Sequence, residues 1–529
     1  MYKLFLCLRY LRRRRIAFFA VAAVCLCVAM VLIVVSVMGG FLQMVKDRSR
    51  GMLGDLVVEN GTLQGFPYYQ EFIDELKLAM PDQIEEATPV IITYGVLRFP
   101  IDQITKPAQI VGIRLHETYR VNDFKNGLYY EKYYPETTTL GPWKEPAYGA
   151  VEGGKIALPP ELEGAWQRWW AQATPAQRKK ADAERRMDYD RPGYYRPIPH
   201  ENYLVDVSPT WLEPELPGII LGTDLCARRL DTGDYRRFYW RGTRVSLTFV
   251  PFSPTGQPRT ATGMPNKLFR YVDDARTGIY DIDSMSVYVD FDMLQEVVEM
   301  NTVVDEDTGQ RIPGRATQIQ IKVTHGTDPI KALDQAQKIW NRIASHNRAE
   351  ALRIFSPEVL DMVEIRTWEQ KQERFIAAVK KEKHLVTILF GVISVVAVFL
   401  VGCIFYMIVQ QKTRDIGVIN SVGATSRGVA GIFLTYGAAV GVVGGALGTL
   451  LGTLFVWYIN DIQDLLAWIS PQARVWNPEV YSFDVIPNQV RPVDVLVIYG
   501  IAIAASMIGS VIAAIRAAEV WPVEAIRYE

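Results

Sequence analysis

The sequence lacks a predominant charge. Lys and Arg total 57 against 58 Asp and Glu over 529 residues, so no global field draws the chain to nucleic acid or to an acidic substrate, and charge arguments must be local. Cysteine is sparse. Of five, Cys7, Cys25, Cys27 and Cys403 lie in or beside apolar runs and Cys226 is alone in the long polar region, which excludes a disulfide framework there. The histidines, His116, His200, His325, His346 and His384, show no metal-ligand spacing. A nucleotide loop is also missing: the nearest approach, Gly149 to Lys155, ends in Ile156 where Ser or Thr would meet magnesium. Asp281 and Asp283 flank Ile282, and alternation on a strand would place both on one solvated face. With no catalytic constellation above background, the chain is read as a non-enzyme that binds no metal or cofactor of its own.

Four stretches lack Asp, Glu, Lys, Arg and His altogether: 16–38, 385–409, 429–459 and 495–515. Each reaches or exceeds the ~20 residues that a ~30 Å hydrocarbon layer requires. An α-helical membrane protein with four transmembrane helices is therefore expected. The absence of charge at membrane depth disfavours a proton- or ion-coupled carrier, which needs polar groups there. The first stretch follows Arg12, Arg13, Arg14 and Arg15, but it is too long for a signal peptide, and Ser36-Val37-Met38-Gly39-Gly40 is a poor cleavage site. Basic residues near span ends stay cytoplasmic, so residues 1–15 are placed inside. Counting spans then puts 39–384 and 460–494 outside, and 410–428 and 516–529 inside.

The large outer region reads as an α+β domain inserted between helices 1 and 2. Strands are expected at 56–59, 89–99, 109–113 and 318–323, with helices at 68–80 and 328–344. An insertion of about 116–316 interrupts this unit. It contains strand-like segments near 219–250 and 284–290 and a stretch rich in Tyr, Trp and Pro, 121–217, whose Trp166, Trp169 and Trp170 are read as a small core. Residues 366–384 form a charged stalk running into the second span. As one helix through residue 409 it would measure roughly 66 Å at ~1.5 Å per residue.

The third span carries two glycine ladders of four-residue spacing, Gly437, Gly441 and Gly445, then Gly444, Gly448 and Gly452. Small residues so spaced let helix backbones approach closely, within one subunit or across a dimer. The following signal is the short loop containing Lys412, Arg414, Asp415, Ile416, Gly417, Ile419, Gly423 and Ala424. It reads as a short amphipathic helix with Ile416 and Ile419 on one side and a glycine as its C-terminal stop.

This loop, Lys412 to Ala424, closely resembles the K-T-R-E-I-G segment of LolC/LolE, MacB and FtsX-type permeases, with Asp415 for the usual Glu and Asn420-Ser421 for the usual Arg-Ala. Ser36 to Phe41, Pro217 to Gly222, Thr277 to Asp283, Trp368 to Lys383 and the tail Trp521 to Glu529 are similar to other segments of the family, and the first four point to the lipoprotein-releasing branch. The resemblance implies a permease subunit of an ATP-binding cassette transporter in a bacterial inner membrane. It implies a separate cytoplasmic ABC ATPase that holds ATP and magnesium, a second permease subunit, identical or homologous, and a periplasmic lipoprotein or carrier as partners. The loop would be the ATPase-coupling helix. MacB-like efflux and FtsX-like signalling to a cell-wall hydrolase are the alternatives it leaves.

Overall fold

The computed structural model describes residues 15–519 except 101–102, 134–135, 137, 143–169, 172, 177, 180–197, 201–202, 206–215, 230–234, 240–242, 254–256, 258–262, 305–308, 310, 357, 412, 422, 424 and 470–484. Arg12, Arg13 and Arg14 of the arginine cluster, the 149–155 loop, Trp166, Trp169, Lys412, Ala424 and the tail beyond residue 519 lie outside the described residues. The chain divides into a helix unit, Met1–Val45, Arg374–Trp476 and Val485–Glu529, and a sheet unit, Lys46–Glu373 with Asn477–Asp484.

The helices used below are α1 (Arg15–Leu53), α2 (Tyr69–Ala79), α3 (Pro329–Ile354), α4 (Trp368–Lys371), α5 (Glu373–Gln411), α6 (Thr413–Ser421), α7 (Ser426–Trp457), α8 (Ile459–Ile469) and α9 (Pro492–Ala518). The strands are β1 (Leu56–Glu59), β2 (Ile84–Phe99), β3 (Ile104–Ile113), β4 (Gly218–Gly222), β5 (Arg244–Phe249), β6 (Asn266–Ala275), β7 (Ser286–Asp290), β8 (Gln318–Val323) and β9 (Glu364–Thr367).

These nine strands form one mixed sheet in the order β5-β6-β4-β7-β3-β2-β8-β1-β9. The pairs β6–β4 and β7–β3 are parallel. β2 is long enough to serve two partners along one edge: its first half pairs with β8, from Val90↔Gln318 back to Ile84↔Val323, and its second half pairs with β5, from Gly95↔Phe249 to Arg98↔Ser246. That second pairing closes β2-β3-β7-β4-β6-β5 on itself. The strands between residues 218 and 290, expected inside an insertion, are thus integral to the sheet. The reason is packing, since Leu97, Phe99, Val245, Leu247, Phe269 and Tyr271 are all buried in one core. Alternation in the second half of β2 buries Leu97 and Phe99 while Tyr94 and Val96 stay exposed.

Helices cover the rest of this core. Pro329 opens α3 at a position that needs no N–H, and Asp328 accepts a hydrogen bond from Ile330 N at 3.0 Å. Ala332, Ala336, Ile339, Trp340 and Ile343 then recur at helical spacing and are buried. Trp340 meets Phe66 and Phe72 edge-on, with ring centroids 5.4 and 5.7 Å away. The helix runs ten residues past the expected end at 344.

Two corrections concern the approach to the second span. Glu364–Thr367 is an edge strand paired with β1, not the start of a stalk. Thr367 caps α4 through a reciprocal bond with Gln370, and Gln372 ends that short helix before α5 begins. The uninterrupted helix is therefore α5, 39 residues or about 58 Å at ~1.5 Å per residue.

Among the described residues, four helices are long and apolar enough to cross a membrane: α1, α5, α7 and α9. Each expected span lies within one of them, except that the third ends at Trp457 rather than 459. A separate helix, α8, occupies the start of what was read as a plain outer loop.

Candidate functional site

The two glycine ladders occupy different faces of α7 and meet different helices. A methyl group on Gly441 would stand 2.8 Å from Ile503 Cα of α9, and one on Gly445 2.9 Å from the Tyr499 ring; Gly437 faces Ser510 and Ser506 of the same helix. A methyl group on Gly448 would stand 2.6 Å from the Cys25 carbonyl oxygen of α1, one on Gly444 3.1 Å from that of Val21, and one on Gly452 3.1 Å from that of Ala29. Both ladders thus pack within the subunit, and α7 is the central helix between α1 and α9. α5 approaches α9 closely at one glycine pair, where a methyl group on Gly509 of α9 would lie 2.8 Å from the Val398 carbonyl oxygen and one on Gly402 3.1 Å from that of Gly509, and it meets α7 through side chains such as Phe405 against Tyr436.

Between α1, α5 and α9 lies a recess of about 370 Å³, walled by Val24, Val28, Val31, Phe390, Val395, Val398, Ile498 and Ile501 among others. Its few polar groups are turned back on their own helices. Ser394 Oγ donates to Phe390 O at 2.9 Å and Thr387 Oγ1 to Lys383 O at 2.7 Å, while Cys27 Sγ lies 3.5 Å from Ser394 Oγ. The wall therefore presents hydrocarbon, and its chemistry suits an apolar chain rather than a polar solute.

The connection between α5 and α7 is helical over Thr413–Ser421, as the loop pattern predicts. Thr413 Oγ1 donates to Gln410 O at 2.9 Å, and Thr425 accepts from Gly428 N at 3.2 Å to open α7. Gly423, at φ +102°, takes a left-handed conformation that a side chain would resist. The residues of this helix do not share one fate. Ile416 is only 3% exposed and packs in the subunit's own cluster with Phe405, Ile408, Val409, Val429 and Phe433. Although the amphipathic pattern and the coupling role would leave Ile416 for a partner to cover, the next span lies close enough to cover it. Arg414, Val418 and Ser421 are exposed instead, Val418 by 49%. For Asp415, Gly417 and Ile419 the helix is described but the side-chain surroundings are not.

The remaining motif segments are structural joints. Within Ser36 to Phe41, a methyl group on Gly40 would stand 2.6 Å from Asn488 Cα, and Ser36 O accepts from Gln489 N at 3.0 Å. Pro217 to Gly222 holds β4, whose last residue, Gly222, lies against the Asp283 carbonyl. Asp281 and Asp283 do not sit on a strand. Tyr280–Asp283 is one helical turn, in which Asp283 points inward and accepts from Thr277 N at 2.7 Å, Thr277 Oγ1 at 2.6 Å and Gly278 N at 2.9 Å. Burial pushes the Asp283 carboxyl above its ordinary value despite these bonds and the nearby Arg276. Gly278, at φ +74°, also accepts from Arg48 in the last turns of α1.

Sequence reasoning missed the buried charge network of the sheet unit. Arg315, fully enclosed, donates to the carbonyls of Gln64, Ser253, Phe252 and Glu299 at 2.9 to 3.3 Å. Asp273 accepts from Tyr130 N, Glu131 N and Thr138 Oγ1 at 2.6 to 2.8 Å. Their bond partners are scattered along the chain, so no local pattern announces them. No group of His, Cys, Asp and Glu able to hold a metal occurs among the described residues.

Residues 387–520, which run from α5 through the end of α9, match the model of the FtsX-like permease C-terminal family. The chain is 25% identical over 294 residues to the lipoprotein-releasing system transmembrane protein LolC of Neisseria meningitidis, a match covering 54% of this chain and 62% of that protein. It is 28% identical over 131 residues to LolE of Haemophilus influenzae, covering 25% of this chain and 31% of the relative. The macrolide export ATP-binding/permease protein MacB of Bdellovibrio bacteriovorus is 22% identical over 214 residues, 40% of this chain and 28% of that one. The matched region thus spans less than two thirds of the length of each of these relatives. The family resemblance of the loop and span motifs is borne out: the chain carries an FtsX-like permease C-terminal domain and is a relative of the LolC and LolE transmembrane proteins.

Proposed function

We propose that this chain is the permease subunit of an ATP-binding cassette transporter in a bacterial inner membrane, and that it releases lipoproteins. A separate ATPase on the cytoplasmic side holds ATP and magnesium, and a second permease subunit completes the transporter. Both termini and α6 lie in the cytoplasm, and the sheet unit lies in the periplasm. The observation that carries the choice of cargo is the recess between α1, α5 and α9. It is apolar, lies at membrane depth and is lined by no Asp, Glu, Lys, Arg or His, so it suits an acyl chain that stays in the bilayer better than a solute that must cross it. Its likeness to LolC and LolE supports the same reading.

Depletion of the protein followed by membrane fractionation tests the cargo. Outer-membrane lipoproteins should accumulate in the inner membrane; normal sorting with chaining or altered division would instead favour a signalling role. The coupling role of α6 is tested at Val418, whose exposed side chain is free to meet the ATPase. Val418→Asp buries an unpaired charge at such a contact and should weaken association by on the order of a hundredfold. Copurification of the ATPase at matched membrane levels reads this, and unchanged binding would sink the coupling assignment. Ile416→Asp is the poorer probe, because it disrupts packing inside the subunit whether or not a partner docks.

A further inference from the structure

α8 is amphipathic in the reverse of the usual sense for a helix on a folded protein. Tyr458, Ile462, Leu465, Leu466 and Ile469 recur at spacings of three and four and form one face. That face points outward: Leu465 is 57% exposed and Ile469 68%. Across the helix from it Gln463 turns in and is only 6% exposed, while Asp461 and Asp464 are exposed. Asn460 fastens the helix, accepting from Ile486 N at 2.8 Å. A helix held to its own protein by polar residues and presenting leucine and isoleucine outward has its apolar partner elsewhere.

Three neighbouring elements fix the level at which this happens. Ser36 and Gly40 of α1 meet Gln489 and Asn488, three and two residues beyond the anchor point Ile486, and Gly39 lies beside Lys383 of α5. At this level the uncharged stretches end. Lys46 and Asp47 follow on α1, Lys380, Lys381 and Lys383 precede the apolar part of α5, and Arg491 and Asp494 open α9. The exposed face of α8 also continues, across Tyr458, from the exposed Leu450, Leu451, Leu454 and Trp457 of α7. Trp and Tyr at the end of a span are the side chains that settle at the boundary between headgroups and hydrocarbon.

We propose that α8 lies in the plane of the membrane surface, with Tyr458, Leu465, Leu466 and Ile469 set into the leaflet that surrounds residues 36–40. Such a helix buries its apolar face about 5–10 Å into the headgroup and acyl boundary. Asp461 and Asp464, on its flank, remain at the aqueous side. The proposal rests on the four apolar helices being membrane spans, and under the topology above this leaflet is the outer one.

The test uses the full chain in phosphatidylethanolamine and phosphatidylglycerol vesicles, with its native cysteines replaced and a nitroxide placed at Leu465→Cys, Ile469→Cys, Asp461→Cys or Leu450→Cys. Relaxation by oxygen, which concentrates in lipid, is compared with relaxation by a water-soluble nickel chelate. The oxygen-to-nickel ratio at 465 and 469 should exceed that at 461 several-fold and approach that at 450. Equal nickel access at 465, 469 and 461 would overturn the proposal by placing the face in water. Poor access of both reagents would overturn it in favour of a protein cover such as a second permease subunit. Failure of the membrane reading itself would show separately, as nickel access at 450. Should a variant at 465 or 469 not insert, Tyr458→Cys and Leu466→Cys report on the same face.

Discussion

The helix unit and the sheet unit reach stable packing by opposite means. In the sheet unit the largest apolar side chains are innermost: Trp340, Phe66, Phe72, Phe99, Phe249 and Phe269 are fully buried, and the charges enclosed with them, Arg315 and Asp273, are held by several hydrogen bonds each. In the helix unit glycine, alanine and serine line the closest helix-to-helix contacts, beside buried Leu32, Phe405 and Val440, while Leu389, Phe399, Leu450 and Ile508 face outward. The difference follows from the surroundings. In water, burying a large side chain supplies the driving force. In lipid that force is absent between helices, and close backbone approach through small residues takes its place.

Substitutions can break this comparison. The largest expected effect is Trp340→Ala in the sheet unit, about 3–5 kcal/mol of stability, because the cavity cannot collapse around two flanking aromatic rings. Thermal unfolding of the detergent-solubilised chain, followed by tryptophan fluorescence, should show it. In the helix unit, adding volume is what destabilises. Gly448→Ala places a methyl group 2.6 Å from the Cys25 carbonyl oxygen and should cost about 1–3 kcal/mol, read as a lower midpoint in SDS titration. Gly500→Ala on α9, where nothing lies within 4 Å, should instead be neutral or stabilise by up to ~1 kcal/mol. Equal losses at 448 and 500 would end the claim that the ladders are contacts rather than composition.

A smaller effect separates two buried carboxylates of the sheet unit by pH. Burial raises Glu86, but the N–H of Ala87 and the charges of Lys77 and Arg120 outweigh it and hold the carboxyl below its ordinary value. Its stabilisation is present above the unfolded value and is lost as pH falls through the folded one. Asp283, raised by burial, has the opposite sign: the folded state binds its proton more tightly, so this group costs stability as pH climbs from the unfolded value through the folded one. Glu86→Gln should therefore flatten the acid loss of stability, and Asp283→Asn should remove the opposing slope. Unfolding midpoints between about pH 3 and 6 measure both.

The spans were legible because twenty or more residues without charge leave few alternatives, and β1, β2, β3 and β8 because period-two or continuous apolar runs are local signals. The ladders announced close approach but not the partner, since spacing says where a helix is thin and not what lies against it. Of the strands between 218 and 290, β4, β5 and β7 were visible and β6 was not, and their place in the sheet was hidden: β5 pairs with β2 across about 150 residues of sequence, and no local rule reaches that far. Asp283 was misplaced because Asp-Ile-Asp imitates alternation, when the preceding Thr277-Gly278 was the sign of a turn. The break before α5 carried a signal that was overlooked, Thr367 followed three residues later by Gln370. α8 was missed because its four polar residues, Asn460, Asp461, Gln463 and Asp464, read as loop.

The uneven distribution of glycines in the bundle has a mechanical meaning. Six contacts in two rows fasten α7 to α1 and α9 along much of its length, as a rail fastens what slides in it, and none of the three can turn about its neighbour without driving a carbonyl into a helix backbone. α5 meets α9 with glycine only at Gly402 and Gly509. Elsewhere α5 is held by side chains, with Phe405 against Tyr436 of α7 at 5.2 Å between ring centroids and Val401, Ile408 and Val409 in the same cluster. On the function proposed above, a force applied at α6, the short helix that joins α5 to α7, would act between a glycine-braced block of three helices and a fourth held to it mainly by side chains.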